Sequence, residues 1–98
     1  MRVNKIKSNV ELQQVLWACY KYWQGESLPP HERVICYSWV VRPYEERFGT
    51  EFHQSKLRRL ASLGFLQQDD TSRGGNRRYY KIADPNGVAS LLKKWKLI

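Results

Sequence analysis

Leu12, Val15, Leu16, Cys19 and Trp23 recur at intervals of three and four, the spacing of one helix face. Ser8-Asn9-Val10-Glu11 stands before them, a hydroxyl followed three residues on by a carboxylate, which is the pattern of a capping box. Gly25 follows as the candidate C-cap, so a helix is predicted over about 9–24. "GESLPP" reads as a loop broken by Pro29 and Pro30. The next apolar run, "HERVICYSWVV", allows two readings. Its β-branched, continuous apolar character suits a buried strand, whereas Pro30 at a first helical position with Glu32 in the first turn suits a helix. A helix over about 30–41 is the reading taken, with the strand as the open alternative. Pro43 is then expected to restart a short helix, "PYEERFG", closed by Gly49 with positive φ.

From Thr50 the pattern turns helical again. Phe52, Leu57, Leu60 and Leu63 fall on one side, and Gly64 ends the helix. The same projection puts Glu51, Gln54, Ser55, Arg58 and Ser62 on the solvent side, with Arg59 at the margin. "FLQQDD" and "RRYYKIAD" are strand-like, and "DTSRGGN" between them is dense in turn formers, so a β-hairpin with a loop of about six to eight residues is predicted. Tyr80 shares a side with Ile82 and is assigned inward, leaving Tyr79 either half-exposed beside the basic patch or, the commoner fate of such a ring, packed against a helix. Asp84-Pro85 supplies an N-cap and an N1 proline, and Val88, Leu91, Leu92 and Trp95 form the stripe of a closing helix. The expected fold class is α+β.

Charge sharpens the picture. The 98 residues carry a formal charge of +8. Residues 1–49 hold seven Lys and Arg against five Asp and Glu, and residues 50–98 hold ten against four. A basic half points to an anionic partner, and phosphate is the commonest. No apolar run approaches the roughly 20 residues that span a bilayer, and no apolar signal region follows the basic start, so a cytoplasmic protein is expected. Cys19 and Cys36 sit in apolar segments and read as buried thiols. Neither His31 nor His53 stands at a ligand spacing from them, so no metal or cofactor is expected. There is no P-loop, no G-x-G-x-x-G, and no His beside a candidate nucleophile. The pairs Glu45-Glu46 and Asp69-Asp70 are sequence neighbours that point apart. An enzyme is not expected.

The stretch "YEERFGTEFHQSKLRRLASLGFLQQDD" resembles a winged helix-turn-helix. The end of the recognition helix in that superfamily is matched by Leu57, Leu60, Gly64, Phe65 and Leu66, and "DDTSRGGNRRYYKI" is similar to the wing of MarR-like regulators. The resemblance covers about residues 10–95 and is specific over 44–82. It implies one winged-helix domain over 1–98, with the helix-turn-helix at about 43–64, a two-stranded wing at about 65–83 and a C-terminal helix at about 85–96. Two features depart from it. Pro43 would break a long second helix, and Glu51 at the start of the recognition helix would repel phosphate.

On that reading Gln54 addresses adenine and Arg58 guanine, with Ser55 beside them. Thr50 and Ser55 are short enough to reach phosphate close to the backbone. Lys56 and Arg59 flank the face as phosphate holders, and Arg73, Arg77 and Arg78 reach from a Gly74-Gly75 tip to phosphates or the minor groove. A competing expectation pairs Arg77 or Arg78 with Asp69 or Asp70 across the hairpin. The implied function is sequence-specific binding of double-stranded DNA by a small transcriptional regulator. Trp17, Tyr20, Trp23, Trp39 and Trp95 raise a homodimer through the N- and C-terminal helices. Two alternatives stand beside it: an RNA or single-strand binder that stacks bases on Tyr79, and a protein-interaction module with an incidental basic face.

Overall fold

The computed structural model describes residues 1–69 and 77–98. Its elements are α1 (Val3–Ile6), α2 (Val10–Gln24), a 3₁₀ turn (Pro30–Glu32), α3 (Tyr37–Phe48), α4 (Ser55–Ser62), β1 (Leu66–Gln68), β2 (Tyr80–Ile82) and α5 (Pro85–Lys94). The class is α+β, and the order is compatible with a small winged-helix-like domain. Helix α2 is the hub. Its Leu12, Val15, Leu16 and Cys19 are buried against Val40 and Tyr44 of α3, Leu57 and Leu60 of α4, and Val88 and Leu92 of α5. The apolar stripes read from the sequence are therefore the faces that meet.

Helix α2 is capped one residue later than the Ser8 pattern predicts. Asn9 is the N-cap, and its Oδ1 accepts from the Leu12 N–H at 3.0 Å. Ser8 lies in the turn after α1, an element the periodicity did not reveal, although Ile6 is fully buried. The Gln13 amide donates to the Ile6 and Lys7 carbonyls, both at 2.9 Å, and fixes that turn onto α2.

The ambiguous segment divides between its two readings, which corrects the single helix over 30–41. After the 3₁₀ turn the chain extends, and Ile35 exchanges both backbone hydrogen bonds with Tyr80, at 2.8 and 2.9 Å. The extended stretch thus lies along the free edge of β2, whose other edge pairs antiparallel with β1 from Leu66↔Ile82 to Gln68↔Tyr80. Only beyond Cys36 does the helix begin. It then runs through Pro43 without the break expected there. The proline leaves the Trp39 carbonyl without its i+4 donor. Burial of Val40 and Tyr44 against α2, on either side of Pro43, holds the helix together across that gap.

Gly49 ends α3 at φ 75°, as expected, and its N–H bonds to the Glu45 carbonyl. The following helix does not begin at Thr50 but at Ser55. The intervening turn is shaped by Phe52, which is 2% exposed and packs on Tyr44 and Tyr37 at centroid distances of 4.9 and 5.2 Å. The Tyr37 hydroxyl donates to the Phe52 carbonyl at 2.6 Å. Phe52 plugs the core from the turn, so the chain cannot also wind it into the first turn of α4. Gly64, at φ 84°, closes α4 and leads into β1.

The strands are three residues each, shorter than the predicted segments, although Asp69 N–H also bonds to the Tyr79 carbonyl at 2.8 Å. Tyr80 and Ile82 face inward as expected. Tyr79 does not lie half-exposed: it is 7% exposed and packs in a second cluster with Val34, Cys36 and Trp39. The outward side is thus covered at Tyr79, just before β2, which alternation alone does not disclose, while Lys81 further along that side stays partly exposed. Helix α5 has the predicted cap, with Asp84 Oδ1 accepting from Gly87 N–H at 3.0 Å.

Candidate nucleic-acid interface

Helix α4 buries Leu57 and Leu60 and exposes Gln54, Ser55, Arg58, Arg59 and Ser62, so the face chosen from the sequence is the solvent face. Its first turn is held by a histidine. The His53 Nδ1 accepts from the Ser55 N–H at 3.1 Å and lies 2.9 Å from the Ser55 hydroxyl. The His53 carbonyl accepts from the Lys56 N–H at 2.9 Å. The imidazole does the work of an N-cap side chain, which requires Nδ1 without a proton.

The chain brings residues 20 positions apart to one place. Gln54, Leu57 and Arg58 of α4, Arg77 and Arg78 before β2, Tyr80, and Cys36, Tyr37 and Ser38 at the start of α3 line one cleft of about 330 Å³. Three arginines line it and, among the described residues, no carboxylate does. The expected pairing of Arg77 or Arg78 with Asp69 is not formed. Asp69 pairs with Lys81 at 3.4 Å, and Lys81 also donates to the His31 carbonyl at 2.8 Å. Among the described residues neither Arg77 nor Arg78 has a carboxylate partner. Asp70, Arg73, Gly74 and Gly75 lie outside the described residues.

The other predicted contacts are dispersed. Lys56 reaches away from the cleft and pairs with Glu11 of α2 at 3.1 Å, tying α4 to the hub. Arg59 is exposed on α4, outside the cleft lining. Thr50 and Glu51 are exposed in the turn before α4. Burial first, and then the Glu51 and Glu45 carboxylates, push the Tyr37 phenol above its ordinary range, so it stays protonated as a donor to Phe52. Tyr79 is inside, so it offers no open face to a base.

The sequence reading missed Cys36, Tyr37 and Ser38. Treating 30–41 as one helix hid the fact that α3 starts in the middle of it, which sets its first turn beside the arginines. The change from Val34-Ile35 to the polar Ser38 was the available signal.

The aromatic residues are occupied within the chain. Trp17 and Trp23 are each 8% exposed. Arg47 lies 4.4 Å over the Trp17 ring and Arg33 lies 4.7 Å over Trp23. Trp39 stacks on Tyr22 at 5.5 Å. The ring surface invoked for a dimer is thus largely the monomer's own core. A second, shallower groove of about 630 Å³ runs between Tyr22, Leu28, Trp39 and Pro43. Among the described residues no three His, Cys, Asp or Glu side chains group as metal ligands, and no helix is long and apolar enough to cross a membrane. Comparison of the chain with protein-family models, curated proteins and solved structures gave no match.

Proposed function

We propose that the chain binds double-stranded DNA in a sequence-dependent way, as a small winged-helix transcriptional regulator. Gln54, Ser55 and Arg58 read base edges, and Arg59, Arg77 and Arg78 hold phosphates. One observation carries this reading: Gln54 and Arg58 at the exposed face of α4 and the Arg77-Arg78 pair, distant in sequence, line one cleft to which no described carboxylate contributes. Exposed arginines with no carboxylate partner among the described residues are available to displace the counterions of a polyphosphate. A bidentate donor such as Arg58 discriminates guanine, and Gln54 discriminates adenine. Lys56, engaged with Glu11, is left out of the reading surface, and Thr50 serves at most the backbone. With Tyr79 buried, the single-strand alternative loses its stacking platform. The protein-interaction alternative keeps one specific support, the groove beside Trp39 with Leu28 40% exposed at its rim.

Selection from a random duplex pool tests the proposal. An enriched sequence bound more tightly than random duplex supports it, and a palindrome would add the dimer. A pool that stays random, with no duplex bound at about 100 mM salt, turns the choice to the interaction module.

A further inference from the structure

Helix α4 starts between two apolar anchors. Phe52 before it and Leu57 within it are 2% and 1% exposed. His53, Gln54 and Ser55 between them are exposed. Main-chain bonds cross this stretch from the Lys56 N–H to the His53 carbonyl at 2.9 Å and from the Leu57 N–H to the Gln54 carbonyl at 3.1 Å. The Ser55 N–H relies instead on a titratable acceptor, the His53 Nδ1 at 3.1 Å, and the Ser55 hydroxyl lies 2.9 Å from the same nitrogen. A neutral ring that accepts at Nδ1 carries its proton on Nε2. Protonation fills Nδ1, so that a donor then faces a donor, and it sets a cation at the positive end of the helix dipole. The charged groups of the neighbouring elements do not compensate. Glu51 shares the turn, Glu45 stands on α3, and Glu11 of α2 is taken by Lys56 at 3.1 Å. Arg58 on α4, with Arg77 and Arg78 across the cleft, carry the same sign as an imidazolium. The Tyr37 phenol of α3 is engaged by the Phe52 carbonyl. Among the described residues no carboxylate is ion-paired with the His53 ring.

We propose that His53 is an acid-released latch on the first turn of α4, and that its release lowers the preference of the chain for one duplex sequence. Above the ordinary histidine range, about pH 6.5, the bare Nδ1 holds Ser55, and below it the hold is withdrawn. Phe52 and Leu57 stay buried on either side, so the loosening is confined to the stretch between them while the fold persists. Gln54 and Ser55 are two of the three side chains assigned to base edges, so geometry is lost where sequence is read. The added positive charge acts on every duplex alike and favours binding without regard to sequence. Acid therefore lowers the ratio of selected to random affinity. That second half of the proposal rests on the DNA-binding reading, and the latch itself rests on the hydrogen bonds alone.

The test follows the whole chain from about pH 7.5 to about pH 5.5, on either side of the histidine range. The first arm uses no DNA. Imidazole nitrogen shifts report the ring, and hydrogen exchange of the Ser55 N–H, taken relative to its intrinsic rate at each pH, reports the latch. Protection of that N–H should fall about threefold to tenfold as His53 gains its proton, the loss expected of one N-cap bond. His53→Asn supplies a capping side chain that does not titrate, so it should keep the protection in acid. His31→Gln should respond as the parent chain does. Protection that ignores the state of the ring, or that still falls in His53→Asn, overturns the latch. The second arm measures affinity for a selected and a random duplex at both ends of the pH range. Their ratio should fall about threefold or more in acid for the parent chain and hold in His53→Asn. A ratio that holds in the parent chain while Ser55 is released overturns the link to sequence reading and leaves the latch. Failure to bind any duplex at the higher pH removes the DNA reading, and the first arm then decides the latch alone.

Discussion

At the scale of single residues, the proposed interface divides into readers, holders and supports. Arg58→Ala should cost about 1–3 kcal/mol on a selected duplex and relax preference at one base pair. Equal loss on selected and random duplex would show that Arg58 holds phosphate instead. His53→Ala removes the acceptor for the Ser55 N–H and should destabilise the fold by about 1 kcal/mol, as loss of an N-cap does. A denaturant midpoint unchanged by that substitution would contradict the capping role. Residue identity was legible for Gln54, Ser55, Arg58, Arg77 and Arg78, which are exposed as read. It failed for Tyr79 because a residue alternating outward from the core is still buried when a second cluster, here Val34, Cys36 and Trp39, covers the other face. The Lys56–Glu11 pair was not legible because Glu11 is 45 positions away and on another helix.

At the scale of elements, a few side chains set the spacing of the helices. Phe52 keeps the turn between α3 and α4 tight by filling the space beside Tyr37 and Tyr44. Phe52→Ala should therefore cost about 3–5 kcal/mol, the usual range for a buried ring, measured by chemical unfolding. Gly49→Ala offers a contrast. Nothing lies within 4 Å of the added methyl, so only the left-handed backbone at φ 75° resists it, at about 1–2 kcal/mol. The longer apolar stripes, α2 and α5, were visible in the sequence because their periodicity runs over several turns and meets strong caps. The extended bridge at Ile35 was not, because its hydrogen bonds are to Tyr80, and no local pattern encodes a partner so far along the chain. Pro43 misled for the opposite reason: local chemistry predicts a break, and burial on both sides of it prevails.

At the scale of the whole molecule, burial and charge make separate claims. Burial pushes the Tyr22, Tyr37 and Tyr44 phenols upward, with nearby carboxylates adding to it. A pKa raised on folding means the folded state holds its proton longer than the unfolded chain. The stabilisation is then complete below the ordinary tyrosine pKa of about 10 and is lost as pH rises through the higher folded values. Melting temperature should fall in that alkaline window in step with tyrosinate absorbance, and a flat profile there would contradict it. Cys19, fully buried, has its thiol pushed far up and should resist alkylation until the chain unfolds. Charge bears on the proposed interface, in which a duplex would lie across α4 and the Arg77-Arg78 pair. The most direct measurement is duplex affinity against salt, for the chain and for Arg77→Ala, on a selected and a random sequence. A steep fall with salt is expected for both sequences, with tighter binding of the selected one. The slope should be shallower by about one in Arg77→Ala, with the preference between sequences retained. Salt-independent binding, or an unchanged slope in that variant, would contradict that interface.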